Sequence, residues 1–310
     1  VSAIEATAAK PGATVTRGRS RRHRNTLVAW AFALPFSILF AAFTAGPVIA
    51  SIAASVTDFS SSDTRSFWLI DFVGAENFTR LLSDDVFLRS LLNTFVFLVV
   101  GVPLTMVLGF ALAIALNAGV GRLTGVFRVG FYVPVVANVI AVAVIWSFML
   151  KPDGVINDML GWFGIAGPDW LGDERFSLAS VVALGVWRNV GTAMVLYLAG
   201  LQMLPRDVYE AADLDGAGRR VKLFRITLPM LAPTTLLISI LLSSYFLQVF
   251  DEPFVLTRGG PLDSTMTVGY YIYNQFGFGN YGLASTGSLV LLVFIAIISV
   301  VQFRIWKPRT

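Results

Sequence analysis

The chain has no cysteine and a single histidine, His23. Disulfides and thiolate chemistry are therefore excluded, and a histidine-based metal site has nothing to build on. No metal ligand set is expected. Charge is the next scarcity. Charged residues make up 14% of the 310 positions, where a soluble domain carries roughly 25%. A soluble protein of this size would lack the polar residues to cover its surface. Also missing is a GxxxxGK[ST] phosphate loop with its acidic metal partner. The chain should not hydrolyse ATP, and no catalytic residue is assigned.

What is present is apolar sequence in long runs. Hydrophobic types account for 56% of the residues, and mean hydropathy is +0.73. Lipid is the expected solvent. Candidate spans lie at 27–54, 90–116, 126–150, 178–200, 231–250 and 283–303; each meets the roughly 20 apolar residues that a membrane helix needs. The fold class is all-α, a polytopic membrane protein. Pro103 and Gly109 in the second run and Pro134 in the third mark either kinks or packing irregularities. Residues 1–26 form a basic N-terminal segment and 304–310 a short tail. A signal peptide has an apolar stretch of only about 7–15 residues, so the run from Leu27 to Val56 reads as an uncleaved first span.

Lys and Arg set the orientation. Lys10, Arg17, Arg19, Arg21, Arg22 and Arg24 precede the first run; Arg122 and Arg128 sit in the 117–130 connection. Arg206, Arg219, Arg220, Lys222 and Arg225 follow the fourth run, and Arg304, Lys307 and Arg309 close the chain. With six spans these segments share one side, which the positive-inside rule makes cytoplasmic, together with both termini. The formal charge of +4 thus belongs to topology, and no nucleic acid partner is expected. The opposite segments, 57–89, 151–177 and 251–282, are longer and richer in acid.

The cytoplasmic connection at 205–229 is the most informative stretch. Pro205 suits the start of a helix, and Asp207 and Glu210 favour its first turns. Ala211 and Ala212 permit close contact; Gly216 and Gly218 then allow a turn. Val221, Phe224 and Ile226 give a second short helix an apolar face, and Pro229 ends or bends it. On these grounds the stretch is either a surface loop or a docking surface.

Spacing adds a resemblance. Glu210, Ala211 and Ala212, then three residues, Gly216, nine residues, and Ile226, Leu228 and Pro229 match the signature of permease subunits of binding-protein-dependent ABC importers. The chain resembles the carbohydrate-uptake group over most of its length, including SLLNTFVFLVVGVPL from Ser90 and FDEPFVLTRGGPLDS from Phe250. The resemblance implies a type I importer permease fold in a bacterial or archaeal inner membrane. It implies coupling helices that dock on an ATP-binding subunit, with Glu210, Ala211, Ala212, Asp215, Gly216, Arg219, Ile226, Leu228 and Pro229 as the coupling residues. It also implies partners: a second homologous permease, two ATPase subunits carrying ATP and Mg²⁺, and an external solute-binding protein. This chain itself would bind no cofactor.

A sugar pathway through an apolar bundle needs hydrogen-bonding and aromatic side chains. Candidates are Asn93, Asn138, Trp146, Trp187, Arg188, Asn189, Tyr197, Tyr245, Gln248 and Asp251. Each has a structural reading as well, as an interface anchor or an interhelical bond. Arg188 lies within an apolar run, where charge is expensive. It contacts substrate, pairs with an acid on another helix, or snorkels to the interface. Gly259, Gly260, Pro261, Thr265 and Thr267 suit a shaped outer loop. The expected function is sugar import. The alternatives are import of glycerol phosphate or another polar solute, an ion-driven secondary transporter, and a noncatalytic scaffold. Clustered cations would favour a phosphate-bearing solute, and Arg188 is the one cation clearly inside a run.

Overall fold

The computed structural model describes residues 30–63, 70–119 and 123–305. The basic segment 1–26, Arg122, and Lys307 and Arg309 of the tail lie outside the described residues. Among those described, the chain is helical, with one isolated bridge between Thr57 and Phe72. Five helices are long and apolar enough to cross a membrane: Trp30–Ser55, Asp85–Asn117, Glu174–Gln202, Ala232–Leu256 and Tyr281–Ile305. A bent pair, Thr124–Val136 and Val139–Met149, passes the same test together. These are called the first to sixth spans in chain order, the bent pair being the third.

Packing divides the chain into two units, with the boundary after Ala50. In the first unit, Phe32, Phe36 and Phe43 are each more than two-thirds exposed. A helix this apolar around its circumference is stable only in lipid or within a larger core.

In the second unit the fourth span is central. Of its apolar window, 61% is buried, against 28% for the second and sixth spans. Its contact positions are small, which lets neighbouring backbones approach. A Cβ on Gly109 of the second span would fall 2.5 Å from the Ala193 Cβ and 2.9 Å from the Met194 nitrogen. Gly101 and Gly185 receive the buried Phe246 ring from the second and fourth spans; a Cβ on either would lie 2.9 or 3.0 Å from it. Phe97 stacks on the same ring with 6.3 Å between centroids, within the roughly 4.5–7 Å of favourable aromatic pairs.

Three π-helical segments share one cause. Ala41–Ala45, Phe97–Gly101 and Lys222–Thr227 each end two residues before a proline, Pro47, Pro103 and Pro229. Proline has no N–H for the carbonyl four residues back, and its ring clashes with that carbonyl. Those carbonyls belong to Phe43, Val99 and Arg225, which lie inside the three widened turns. Widening by one residue relieves the clash and keeps the helix continuous.

Two runs differ from the expected spans. The third is broken by 98°, between Val136 and Val139. The break falls one turn beyond Pro134, where Ala137 turns extended at ψ 145° and the Asn138 side chain caps the new helix. The fifth continues past residue 250. Its first helix, Ala232–Leu247, ends, and a short helix, Asp251–Leu256, resumes after a three-residue interruption around Val249. The segment at 251–256 is therefore part of the span, not of the outer loop.

The segment that follows is pinned to the second span. Asn93 Nδ2 donates to the carbonyls of Asp263 and Met266 at 2.9 and 2.8 Å. The Val268 N–H donates to Thr94 Oγ1 at 3.0 Å. Asp84 caps the second span through the N–H groups of Val86 and Phe87, and its other oxygen accepts from the Tyr271 hydroxyl at 2.6 Å. Burial, reinforced by that bond, holds the Tyr271 phenol above its ordinary pKa.

Replacing Gly109 by valine should cost at least about 2 kcal/mol, because Ala193 and the Met194 backbone cannot give way. Gly125 has nothing within 4 Å of a built Cβ, so Gly125→Ala should leave stability unchanged. Thermal unfolding of the detergent-purified protein, followed by fluorescence size-exclusion, distinguishes the two. Equal stability of both variants would mean that the second and fourth spans do not cross where the structure places them.

Candidate functional site

Two polar regions stand out against the apolar background. The first lies between the fourth and fifth spans. Arg188 Nη1 donates to Glu252 Oε1 at 2.7 Å and to the Tyr245 hydroxyl at 2.9 Å. The Tyr245 hydroxyl in turn donates to Glu252 Oε1. The Glu252 side chain is 2% exposed and that of Arg188 13%. An isolated charge at this depth would be strongly destabilising. Paired and hydrogen-bonded, the cluster carries no net charge. One strand of it is unfinished, since Arg188 Nε is buried without a partner among the described residues.

The break in the fifth span makes the cluster possible. Tyr245 lies on Ala232–Leu247, and Glu252 on the helix that resumes after the break. The break also opens a cavity of about 310 Å³, lined by Ser244, Tyr245, Gln248, Phe250, Asp251 and Glu252 among others. Gln248 and Asp251 are exposed, and offer an amide and a carboxylate at its mouth. Trp146 and Trp187, the latter next to Arg188 in sequence, lie with ring centroids 5.6 Å apart.

The pathway candidates therefore divide. Arg188 and Tyr245 come together in the cluster, and Tyr245, Gln248 and Asp251 around the cavity. Trp146 and Trp187 form a pair. Two amides are used elsewhere, Asn93 on two loop carbonyls and Asn138 as a helix cap accepting from Ile140 and Ala141, while Asn189 donates to the Gly185 carbonyl at 2.9 Å and lies beside the Tyr245 hydroxyl of the cluster. Tyr197 is buried edge-on to Phe110, 5.2 Å between centroids. Glu252 was missed in the sequence, where Asp251 and Glu252 together look like the start of an acidic loop. The apolar Phe254, Val255 and Leu256 beyond them were the available signal.

The second region is the helix–turn–helix after the fourth span. Arg206–Leu214 forms the first helix, with Pro205 at its N-cap. Its end is a Schellman motif: the Ala217 N–H donates to the Ala212 carbonyl at 2.9 Å and the Gly216 N–H to the Asp213 carbonyl at 3.0 Å. The motif requires a left-handed residue, and Gly216 has φ +71°. The four-residue interval from Ala212 to Gly216 is thus the geometry of one helix end. Gly218 begins the second helix, which runs through 219–230 with the π-turn described above.

Tyr209 and Thr227 join the two helices through their hydroxyls at 2.8 Å, and Lys222 pairs with Asp213. Ala212 is buried beneath the first helix, while Glu210, Ala211, Asp215, Arg219 and Pro229 are exposed. Ile226 and Leu228 are half-buried. Leu214, which the sequence reading passed over, is 90% exposed at the tip of the first helix. An apolar side chain so placed, beside exposed carboxylates and small residues, suits insertion into a partner.

Residues 82–307 match the family of binding-protein-dependent transport system inner membrane components. The chain is 34% identical to the lactose transport system permease protein of Rhizobium radiobacter, over 96% of this chain and 99% of that one. It is also 34% identical to the trehalose/maltose transport system permease protein of Thermococcus litoralis, over 77% and 81%. The fold is similar to a chain of a bacterial alginate ABC transporter solved in complex with its periplasmic protein. There the TM-score is 0.76 at 22% identity, covering 92% and 96% of the two chains.

Removing one side of the buried pair leaves the other charge uncompensated. Arg188→Met or Glu252→Leu alone should each cost about 3–5 kcal/mol, and the double replacement much less than their sum. A double-mutant cycle on thermal stability reads this directly. Additive losses would show that the two side chains do not meet.

Proposed function

This chain belongs to the binding-protein-dependent transport system inner membrane component family, and from that premise we propose that it is the permease of an importer for uncharged sugars. The observation that carries the choice of solute is the Arg188–Glu252 pair. A phosphate ester needs a free cation in the pathway. The cation in the middle of the fourth span is already neutralised by a buried carboxylate and a phenol. The hydrogen-bonding side chains and aromatic rings around the break in the fifth span suit a neutral, many-hydroxylated solute. The lactose and trehalose/maltose permeases among the relatives point the same way. Glycerol phosphate or another polar solute is the second reading, and a free cation supplied by a partner subunit would favour it.

In this reading Glu210, Ala211, Ala212, Asp215, Gly216, Arg219, Ile226, Leu228 and Pro229 build the surface that docks on an ATPase subunit. Gly216 shapes the turn and Ala211 lets the partner approach. Glu210 and Asp215 supply charge, with Leu214 as the apolar anchor. ATP and Mg²⁺ bind to two copies of that partner, so hydrolysis takes place outside this chain. A second, homologous permease completes the pathway, and an external binding protein delivers the solute. Both termini face the cytoplasm, on the side of the basic connections. Closure of the ATPase pair draws the docked helices together and shifts the permeases between inward- and outward-facing states.

The test is ATP hydrolysis by the reconstituted importer with its binding protein, across a panel of sugars and glycerol phosphates. Sugars should stimulate, and Glu210→Lys in a properly inserted complex should lower that stimulation by at least about tenfold. Stimulation by a phosphate ester alone would reverse the choice of solute. A fully coupled Glu210→Lys complex would remove Glu210 from the docking surface.

A further inference from the structure

Between the helix–turn–helix and the ends of two spans lies a second cavity, of about 330 Å³. Its apolar floor includes Ile114 and Leu201, from the last turns of the second and fourth spans, and Leu223. Arg219 and Lys222 bring the charge, and Asn117 and the hydrogen-bonded Tyr209 and Thr227 the other polar groups. Lys222 is paired with Asp213, whose carboxylate is 65% exposed and so remains hydrated. Among the described residues no carboxylate lies within ion-pair distance of Arg219. The cavity therefore keeps a net positive charge.

Position narrows the occupant. Span ends stand at the level of lipid headgroups. The helix that supplies Arg219 and Lys222 also presents Val221 at 43% exposure and Phe224 at 64%, with Arg220 and Arg225 exposed beside them. Arginines flanking exposed apolar side chains can snorkel to headgroup phosphates while the apolar groups enter the membrane interface. Basic pockets between span ends take phosphorylated headgroups.

We propose that this cavity binds the phosphate of an anionic phospholipid, with Arg219 and Lys222 as its cationic contacts. The acyl chains run along the apolar side chains of the neighbouring span ends. The lipid braces the turn at Gly216 from the membrane side, opposite the exposed Glu210 and Leu214. Arg219 then serves the docking surface indirectly, by holding the lipid behind it. The site is independent of which solute crosses.

Native mass spectrometry of the assembled importer tests this, after delipidation and titration with phosphatidylglycerol or phosphatidylcholine. The wild-type complex should bind phosphatidylglycerol at least about tenfold more tightly, and millimolar inorganic phosphate should not displace it. Arg219→Gln/Lys222→Gln should lose the preference. So should Leu223→Trp, which fills the cavity and leaves its charge intact. The same spectra report whether each complex is still assembled. Equal affinity for the two lipids in the wild type would overturn the site, meaning that the cations only neutralise the helix ends. A preference that survives in both variants would overturn it as well. Displacement by inorganic phosphate would replace the lipid with a free anion.

Discussion

The packing of the second, third and fifth spans is built on their close approach to the fourth. Lipid supplies no hydrophobic force to press helices together, so association rests on packing and on a few polar bonds. Small residues on the fourth span make that packing tight. Ala193 receives Gly109, and Gly185 shares the Phe246 ring with Gly101. The same helix carries Arg188 toward the fifth span and leads, through its last turn, into the helix–turn–helix. A movement of the proposed docking surface would thus be delivered to the element that holds the buried ion pair.

The second constraint is that a backbone in lipid must satisfy its own hydrogen bonds. The three prolines that follow π-turns show how the chain keeps helices continuous despite missing donors. Where continuity fails, at Asn138 and around Val249, polar groups collect. Asn138 caps the restarted helix in the third span. In the fifth, the break opens the cavity and brings Tyr245 and Glu252 together on Arg188. Irregular backbone and polar side chains are therefore found in the same places.

Much of this was legible beforehand. Long apolar runs gave the all-α membrane class and approximate spans, because length and hydropathy are local properties. The interval from Ala211 and Ala212 to Gly216 was legible for a similar reason, since a Schellman turn is local chemistry. The break near Asn138 was not, because Pro134 was the visible irregularity and the helix passes through it intact. Pairing with an acid on another helix was one of three readings open for Arg188, but Glu252 stands 64 residues away and resembled a loop acid. Asn93 looked like a pathway donor and is spent on loop carbonyls 170 residues distant. Such pairings depend on how spans cross, which periodicity within one span does not encode.

The absence of cysteine offers a direct measurement of the central claim, that the exposed face of Arg206–Leu214 is where ATPase-driven motion enters. A single Ala211→Cys substitution gives a protein with one thiol, on an exposed site. Its rate of modification by a membrane-impermeant maleimide would be measured in inverted vesicles, with and without the ATPase subunit. The account predicts rapid labelling of the permease alone and strong protection in the assembled importer. Equal labelling in both would contradict it, and would place the docking surface elsewhere on the chain.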